Sequence, residues 1–263
     1  MRYIVVSDLH GQIRLLENVL KHSNFDKEND KLISLGDVCD IGNQTMQIHE
    51  LLFEYGAIQL VGNHEIAHMT SMQIYPYDYS LDPDYKKFIG LAIACNQMQL
   101  AYCVDNIVMT HAGLSKRLVQ KGVTERGSED STLKYMYESG TITAELICQK
   151  LNERLYNTVF IDEELMLMNF TNDSLFTDWF YPLWFRPYNS PDGGQASDVG
   201  FYSGVRQIIG HTPVGSFTQK QQRLISESGV YLIDPYAREN FNNPGYCKYA
   251  IIENGNITVV VNE

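Results

Sequence analysis

Long hydrophobic runs are missing from this sequence, and their absence bears first on membrane association. Of its 263 residues, 44% are hydrophobic, which is enough for a sizeable core. No uninterrupted apolar stretch approaches the ~20 residues that a membrane-spanning helix needs. Near the amino end, Tyr3-Ile4-Val5-Val6 indicates a strand, and no basic lead precedes a long apolar run, so we predict no signal peptide. These absences predict a soluble protein with no membrane partner.

Basic residues are also scarce. The chain has 20 Lys and Arg against 32 Asp and Glu, which gives a net charge of −12. A negative surface repels a phosphate backbone and an anionic lipid surface, so nucleic acid and membrane are excluded as default partners. The same field opposes a polyanionic substrate unless bound metal cations make the site locally positive.

Paired cysteines are absent as well. The five cysteines are scattered, no two form a Cys-x-x-Cys motif, and their number is odd. Such a set in a chain of this length indicates reduced thiols and a cytoplasmic location. Cys39 stands inside a polar string, where we expect it to be a small apolar filler.

Strands and helices alternate in the first third of the chain. The apolar runs Tyr3–Ser7, Leu32–Leu35 and Ala57–Val61 have strand length, and helical periodicity follows the first two. This alternation predicts βα units in a largely parallel sheet, and hence an α/β fold. In such sheets, sites form at the carboxyl ends of the strands.

Later segments are less regular. Helices are predicted from Thr141 through Leu155 and over Asp162–Asn169. Short apolar runs indicate further strands at Leu100–Val104, Ile107–Thr110, Gln207–Ile209, Arg223–Ile225, Val230–Ile233, Tyr249–Ile252 and Ile257–Val261.

Five polar strings follow predicted strands. They are Asp8-Leu9-His10-Gly11, Gly36-Asp37-Val38-Cys39-Asp40, Gly62-Asn63-His64-Glu65, His111-Ala112-Gly113 and Gly210-His211-Thr212. A single site would therefore draw on most of the chain, so we expect one domain over residues 1–263. Residues 114–200 contain no such string, and we expect this mainly helical segment to shape the specificity of the pocket.

Together the strings supply the ligands of a two-metal site. Two metals about 3.5–4 Å apart acidify a bridging water, which attacks phosphorus, and they clamp the phosphoryl oxygens. A carboxylate is the best bridge because it combines two oxygens with a negative charge, and we assign this role to Asp37. Asp8 and His10 stand two apart on an extended segment, so both can reach one metal. The second metal is assigned the neutral ligands Asn63, His111 and His211.

His64 is the expected general acid, because it follows the ligand Asn63 without needing to bind a metal itself. Asp40 would hold the imidazole of His64 in the correct tautomer and raise its pKa. The remaining histidines lie on predicted helices and are expected to be surface or packing residues: His22, His49 and His68.

In their order, these strings resemble the motifs of the calcineurin-like metallophosphoesterases, and within them the phosphoprotein phosphatase family with its bacterial and phage relatives. The resemblance spans about residues 8 to 215. It implies a β-sandwich of mixed sheets flanked by helices, and it implies the same metal ligands and acid pair. Trp184-Phe185-Arg186-Pro187 resembles the family's Trp-x-Arg-Pro string, which implies that Arg186, together with Asn63, binds the substrate phosphate.

One position departs from the family pattern. Ile41 stands where the family's GDxxDRG motif has an Arg that helps to bind phosphate. Three sources of a replacement cation remain open at this point: Arg186 acting alone, Arg206 or Arg238. The Tyr-rich stretch at 75–85 could stack an aromatic group, although loop packing is the commoner role of such residues.

Three functions compete. The leading one is a phosphomonoesterase of the Ser/Thr protein phosphatase type that uses two divalent metals. The second is a nucleotide hydrolase that resembles the symmetrical diadenosine tetraphosphatases, and the third is a non-catalytic metal-binding scaffold. Mixed Asp, Asn and His ligands suit Mn, Fe, Zn or Co. Family likeness favours Mn, and the sequence predicts no oligomeric state.

Overall fold

The fold is that of a computed structural model, which describes residues 1–70, 72–81, 84–122, 131–162, 167–170, 178, 181–188, 199–236 and 243–262. The strands described are β1 Arg2–Val6, β2 Asp30–Ser34, β3 Ile58–Leu60, β4 Met98–Gln99, β5 Ala101–Val104, β6 Ile107–Thr110, β7 Val159–Asp162, β8 Leu167–Phe170, β9 Arg206–Ile209, β10 Val230–Leu232, β11 Cys247–Glu253 and β12 Asn256–Asn262. The α-helices described are α1 Ile13–His22, α2 Thr45–Glu54, α3 Asn63–Thr70, α4 Asp84–Ala94, α5 Lys116–Lys121, α6 Ser131–Glu138, α7 Ala144–Thr158 and α8 Gln219–Glu227.

Two mixed sheets pack face to face. The larger has the strand order β12-β11-β1-β2-β3-β4, in which β1 to β4 run parallel and β11 pairs antiparallel with both neighbours. The smaller has the order β10-β9-β6-β5, with only β5 antiparallel to its neighbour. Strands β7 and β8 pair separately. The predicted sandwich of mixed sheets with flanking helices is confirmed.

The position of β1 explains why its sequence is apolar at successive residues. Val5 packs between the sheets with Ile33 and Ile208, whereas Ile4 and Val6 face the helical layer. Successive side chains of a strand point to opposite faces, so a strand that is covered on both sides needs apolar residues at every position.

Helix α1 covers the outer face of the larger sheet. Its buried residues are Leu15, Leu16 and Val19, which recur at helical spacing and pack on Ile4 and Leu32. Each such side chain stabilises the fold by about 1.5–3 kcal/mol relative to its exposed state. This packing holds β1 and β2 in place below the loops that follow them.

The carboxyl ends of five strands meet at one edge of the sandwich. Asp8 follows β1, Asp37 follows β2, Asn63 follows β3, His111 follows β6 and His211 follows β9. Parallel alignment of β1 to β3, and of β6 with β9, brings all five to the same edge. The rule that sites form at the carboxyl ends of parallel strands therefore applies here.

Two predictions of secondary structure were wrong. Arg223–Ile225 lies in α8 and not in a strand, because Thr218 and Gln221 form a capping box that starts a helix and Ile225 supplies its buried face. Asp162–Asn169 was predicted to be a helix, but its described ends belong to β7 and β8, whose backbones pair antiparallel. Backbone pairing between the two segments overrides their helical propensity.

The described part of residues 114–200 contains α5, α6 and α7, followed by β7 and β8. The role of this segment in specificity stays a prediction. Nowhere in the described ranges is there a helix with both the length and the apolar character that crossing a bilayer demands.

An ion pair links β1 to β2 at their amino ends. Arg2 Nε donates to Asp30 Oδ1 at 3.0 Å, and Arg2 Nη2 lies 2.5 Å from Oδ2. The backbone N–H of Asp26 donates to Oδ2 as well, at 2.9 Å. The hydrogen bond from Arg2 lowers the pKa of Asp30 below 3.8, although burial opposes this shift.

We expect Asp30→Asn to lower the free energy of unfolding at neutral pH by about 1–2 kcal/mol. Because the folded-state pKa is lowered, this stabilisation is present above the unfolded pKa and is lost as pH falls through the folded value. Urea unfolding of both proteins at about pH 7 and about pH 3 measures the difference. A difference that does not shrink at the lower pH would contradict this account of the ion pair.

Candidate metal centre and active site

The backbone of the site is left-handed at five polar residues. The φ angles are 52° at Asp8, 44° at His10, 54° at Asp37, 67° at Asp40 and 62° at His211. Non-glycine residues rarely adopt positive φ, and such strain persists only where the surroundings enforce it. The chain thus turns sharply as it leaves β1, β2 and β9, and each turn directs a side chain inward.

The buried carboxylate of Glu65 holds the turn after β2 against the loop after β3. It accepts the backbone N–H groups of Asp37 at 2.8 Å, Val38 at 2.8 Å and Gly62 at 2.7 Å. A Cβ atom at Gly62 would lie 2.1 Å from Asp37 Oδ1, so only glycine permits this approach of the two loops. Sequence reasoning assigned Glu65 no role, because its partners Asp37 and Val38 lie 28 and 27 residues away in sequence.

Asp37 lies at the centre of the site. Its Oδ1 accepts the backbone N–H of His64 at 3.0 Å. Its Oδ2 lies 3.2 Å from His111 Nε2 and 3.9 Å from the Nε2 atoms of both His10 and His64. Burial disfavours the charged carboxylate, but His111 and His64 outweigh burial and hold the pKa of Asp37 well below its ordinary value.

Backbone carbonyls fix the tautomers of two histidines. His10 Nδ1 lies 2.8 Å from the carbonyl oxygen of Cys39, and His111 Nδ1 lies 3.0 Å from that of Leu35. A carbonyl only accepts hydrogen bonds, so both Nδ1 atoms carry the proton and donate. In the neutral rings this leaves the Nε2 lone pairs directed at Asp37, which is how second partners orient histidine ligands towards a metal.

The donor set of the site fits a metal cation. His111 Nε2 lies 2.8 Å from Asn63 Oδ1 and 3.2 Å from Asp37 Oδ2, so two oxygen acceptors face one imidazole nitrogen. Among the described residues, buried His211 Nε2 has no hydrogen-bond partner. Buried nitrogen and oxygen atoms of this kind need a proton or a cation between them.

Two overlapping groups of potential ligands share Asp37. Within each group the candidate ligand atoms all lie within 4.8 Å of one another, the groups being His10-Asp37-His64 and Asp37-His111-His211. Asp8 is buried beside them and accepts the backbone N–H of His211 at 3.0 and 3.2 Å. Burial, together with the negative charge of Asp37, raises the pKa of Asp8, and bound cations would offset this repulsion.

Asp40 joins two histidines on its two oxygens. His64 Nδ1 donates to Oδ2, and His68 Nε2 lies 3.0 Å from Oδ1. Burial disfavours the charged forms of both Asp40 and His64, but the opposite charges and hydrogen bonds around each residue outweigh burial. The histidine hydrogen bonds hold the pKa of Asp40 far below 3.8, whereas Asp37 and Asp40 raise the pKa of His64. Asp40 is therefore ionised, and its hydrogen bond fixes the tautomer of His64.

The three histidines outside the candidate ligand set differ in their surroundings, since His22 is exposed whereas His49 and His68 are fully buried. His22 Nδ1 lies 2.9 Å from the hydroxyl of Tyr249. His49 is fully buried between the side chains of Gln59 and Tyr85, at 2.9 Å from each. His68 is also fully buried, and its contact with Asp40 is one that the sequence did not reveal.

A cavity of about 240 Å³ opens above Asp37, and Arg186 lines it. Arg186 Nη1 donates to Thr212 Oγ1 at 3.3 Å, beside His211. Ile41 stands at the mouth with 44% of its surface exposed. Further lining residues that sequence reasoning left unassigned are Tyr75, Pro76, Pro213, Asp234 and Tyr236.

Asp234 is an acidic residue of the cavity that the sequence analysis missed. It follows β10 and Ile233, so its position after an apolar run was a usable signal. Burial and the nearby Asp8 raise the pKa of its carboxyl well above 3.8. Lys248 Nζ donates to the backbone oxygen of Asp234 at 2.9 Å.

Arg206 does not supply the missing cation. It begins β9 at the end opposite the cavity, and its guanidinium donates to the backbone oxygens of Gly255 at 2.6 Å and Asp105 at 3.0 Å. Arg238 lies outside the described residues. Of the two candidate arginines that the structure describes, Arg186 lines the cavity and Arg206 does not.

Comparison with known sequences gives a family match. The sequence profile of the calcineurin-like phosphoesterase family matches residues 1–215. Serine/threonine-protein phosphatase 2 of Salmonella typhimurium is 43% identical over 61 residues, which are 23% of this chain and 28% of that protein. The similarity therefore covers little more than a quarter of this curated relative.

Solved structures share the fold over the whole chain. The structure of a candidate diadenosine tetraphosphatase has a TM-score of 0.51 at 19% identity, and the match covers 100% of this chain and 94% of that one. A cold-active protein-tyrosine phosphatase of a psychrophilic Shewanella species has a TM-score of 0.56 at 16% identity, with 99% and 80% covered. At such low identity the likeness shows the fold and not the substrate.

We expect Glu65→Gln to disturb the site through its backbone. The amide nitrogen of Gln would face a backbone N–H that now donates, and each unsatisfied donor costs about 1–3 kcal/mol. The variant should therefore melt at a lower temperature and retain less metal after dialysis against Mn²⁺.

The matched control is His211→Ala, which removes a candidate ligand but no backbone partner. It should lose metal while its metal-free melting temperature stays close to that of the parent. If Glu65→Gln retains full metal content and stability, Glu65 does not hold the two loops.

Proposed function

Because this chain belongs to the calcineurin-like phosphoesterase family, we propose that it is a metal-dependent phosphatase that hydrolyses phosphomonoesters with two divalent metals, in the manner of the Ser/Thr protein phosphatases. The observation that carries the proposal is the convergence of buried nitrogen and oxygen atoms from Asp37, Asn63, His111 and His211, of which His211 Nε2 has no hydrogen-bond partner in the described part of the chain.

In this proposal, Asp8, His10 and Asp37 hold one metal, and Asp37, Asn63, His111 and His211 hold the other. When bound, the two cations supply an acidified water and neutralise phosphoryl oxygens. Mn²⁺ is the proposed metal, with Fe, Zn or Co as alternatives that suit the same mixed nitrogen and oxygen ligands.

The chain's own residues complete the reaction. Arg186 and Asn63 orient the phosphate in the cavity. As the oxygen of water bonds to phosphorus and the P–O ester bond breaks, His64 gives a proton to the leaving oxygen. Asp40 holds the imidazole so that its Nε2 faces the cavity, which is the geometry that a general acid requires.

A second function, hydrolysis of a dinucleoside polyphosphate, is favoured by the rim of the cavity. Tyr75 is 95% exposed at the mouth, beside Pro76 and Ile41. An exposed ring in this position could stack a nucleobase. A solved structure of the same fold is that of a candidate diadenosine tetraphosphatase.

Product analysis separates these functions. We expect Mn²⁺-loaded protein to release phosphate from Ser/Thr phosphopeptides faster than it cleaves diadenosine tetraphosphate.

Asp37→Asn should abolish turnover and lower the metal content, because it removes the charged carboxylate shared by both metal groups. Nucleoside diphosphate as the main product would assign the chain to the nucleotide hydrolases. If neither substrate reacts and Asp37→Asn changes only stability, the protein is a metal-binding scaffold.

Ile41→Arg should lower the KM for a phosphomonoester, because it places a cation at the mouth of the cavity. Ile41 has a φ of 64°, which a β-branched residue adopts with strain, so an unbranched side chain there should not destabilise the fold. Steady-state kinetics on phenyl phosphate measure the change, with Ile41→Gln as an uncharged control. An unchanged KM would mean that the cavity binds phosphate without a cation at position 41.

A further inference from the structure

His68 lies one helical turn after His64 on α3, and its side chain is fully buried. Residues four apart on a helix share one face, so both imidazoles reach the loop that follows β2. There Nε2 of His68 lies 3.0 Å from Oδ1 of Asp40, while Nδ1 of His64 bonds to Oδ2. Each oxygen of this carboxylate therefore has its own histidine.

Oδ1 of Asp40 is held from two sides. An ionised carboxylate only accepts hydrogen bonds, so Nε2 of His68 carries a proton and donates a hydrogen bond to Oδ1. The backbone N–H of Asp78 donates to the same oxygen at 2.7 Å. These two donors fix the plane of the carboxylate, and this plane directs Oδ2 at His64.

Two aromatic rings hold the imidazole of His68. The ring of Tyr77 stacks on it, with centroids 4.2 Å apart and an interplanar angle of 20°. The ring of Tyr85 meets it edge-on at 5.2 Å and 89°. A buried ring packed in this way keeps one orientation, so it can orient a neighbour without touching a substrate.

We propose that His68 is a positioning residue for the acid pair: it holds Asp40 in the plane that aligns the His64 imidazole for proton donation. This inference rests on the proposed function, because it concerns the proton that His64 gives to the leaving oxygen. Tyr77 and Asp78 belong to the loop whose Tyr75 and Pro76 line the cavity. The stacking of Tyr77 on His68 and the hydrogen bond from Asp78 to Asp40 therefore connect this part of the cavity wall to the acid pair.

The test compares substrates that differ in their need for a general acid. Phenyl phosphate has a poor leaving group and depends on protonation, whereas p-nitrophenyl phosphate has a good one and depends on it less. With Mn²⁺-loaded protein, we expect His68→Phe to lower kcat for phenyl phosphate by about 10- to 100-fold and to change it little for p-nitrophenyl phosphate. KM and metal content should stay unchanged.

Three variants sharpen the comparison. His68→Gln, whose amide nitrogen can donate to Asp40, should recover most of the activity. His68→Phe added to Asp40→Asn should lower kcat no further than Asp40→Asn alone, because both act through one hydrogen-bonded unit. His22→Phe alters a histidine that contacts Tyr249, outside the cavity, and should leave the ratio between the two substrates unchanged.

A readout independent of turnover separates this inference from the proposed function. In metal-free protein, the low-field proton resonance of His64 Nδ1–H reports its hydrogen bond to Asp40. We expect His68→Phe to shift or broaden this signal and His68→Gln to preserve it. If the protein cleaves no phosphate ester, the proposed function fails while this signal still tests the role of His68.

An equal loss of kcat on both phosphates together with an unchanged His64 signal would overturn the proposal and make His68 a packing residue. If His68→Phe does not fold, His68→Met replaces it, because Met fills a similar space with a flexible side chain that has no donor. The expected and contradicting results are the same for that variant.

Discussion

The site depends on one buried carboxylate, that of Glu65, which does not line the cavity. Glu65 binds the backbone of two loops that leave parallel neighbours β2 and β3, and it thereby fixes both loops relative to each other. Asp37 and His64 are then joined directly, since the N–H of His64 donates to Asp37. Without Glu65, the backbone N–H groups of Asp37, Val38 and Gly62 would lie buried without acceptors, at a cost of about 1–3 kcal/mol each. The catalytic geometry that we propose therefore depends on the hydrogen bonds of these backbone N–H groups as much as on the identity of the ligand side chains.

Charge balance gives the site its second constraint. Asp8, Asp37 and Asp234 are all buried near the cavity, in a chain whose net charge is −12. Arg186 lines the same cavity, and with Ile41 at its mouth the described lining residues add no further arginine or lysine. Buried carboxylates that repel each other favour a bound cation. An acidic protein can thus attract a phosphate dianion locally, provided that its metal positions are filled.

Sequence patterns predicted the parts of this structure that are local. Strands β1 to β3 each contain a short, mainly apolar run that is followed by polar residues, so both the sheet and the position of Asp8, Asp37 and Asn63 could be predicted from the sequence. Glu65 and His68 were missed because their partners lie 28 residues away in sequence. The segment around Ile225 was assigned to a strand because a short apolar run has no clear periodicity. The capping box of Thr218 and Gln221, which starts the helix, was not recognised in the sequence.

The exposed rim and the buried ligands belong to different structural layers. Ile41 and Tyr75 project at the mouth, whereas Asp37 and His111 lie beneath it among hydrogen bonds that tolerate little change. Substitutions at the rim are surface substitutions, which usually change the free energy of unfolding by no more than about 0.5 kcal/mol in either direction. Substitutions at the rim can therefore change which substrates bind at little cost in stability, while the buried ligands stay unchanged. A laboratory library aimed at new substrates would best randomise the rim residues.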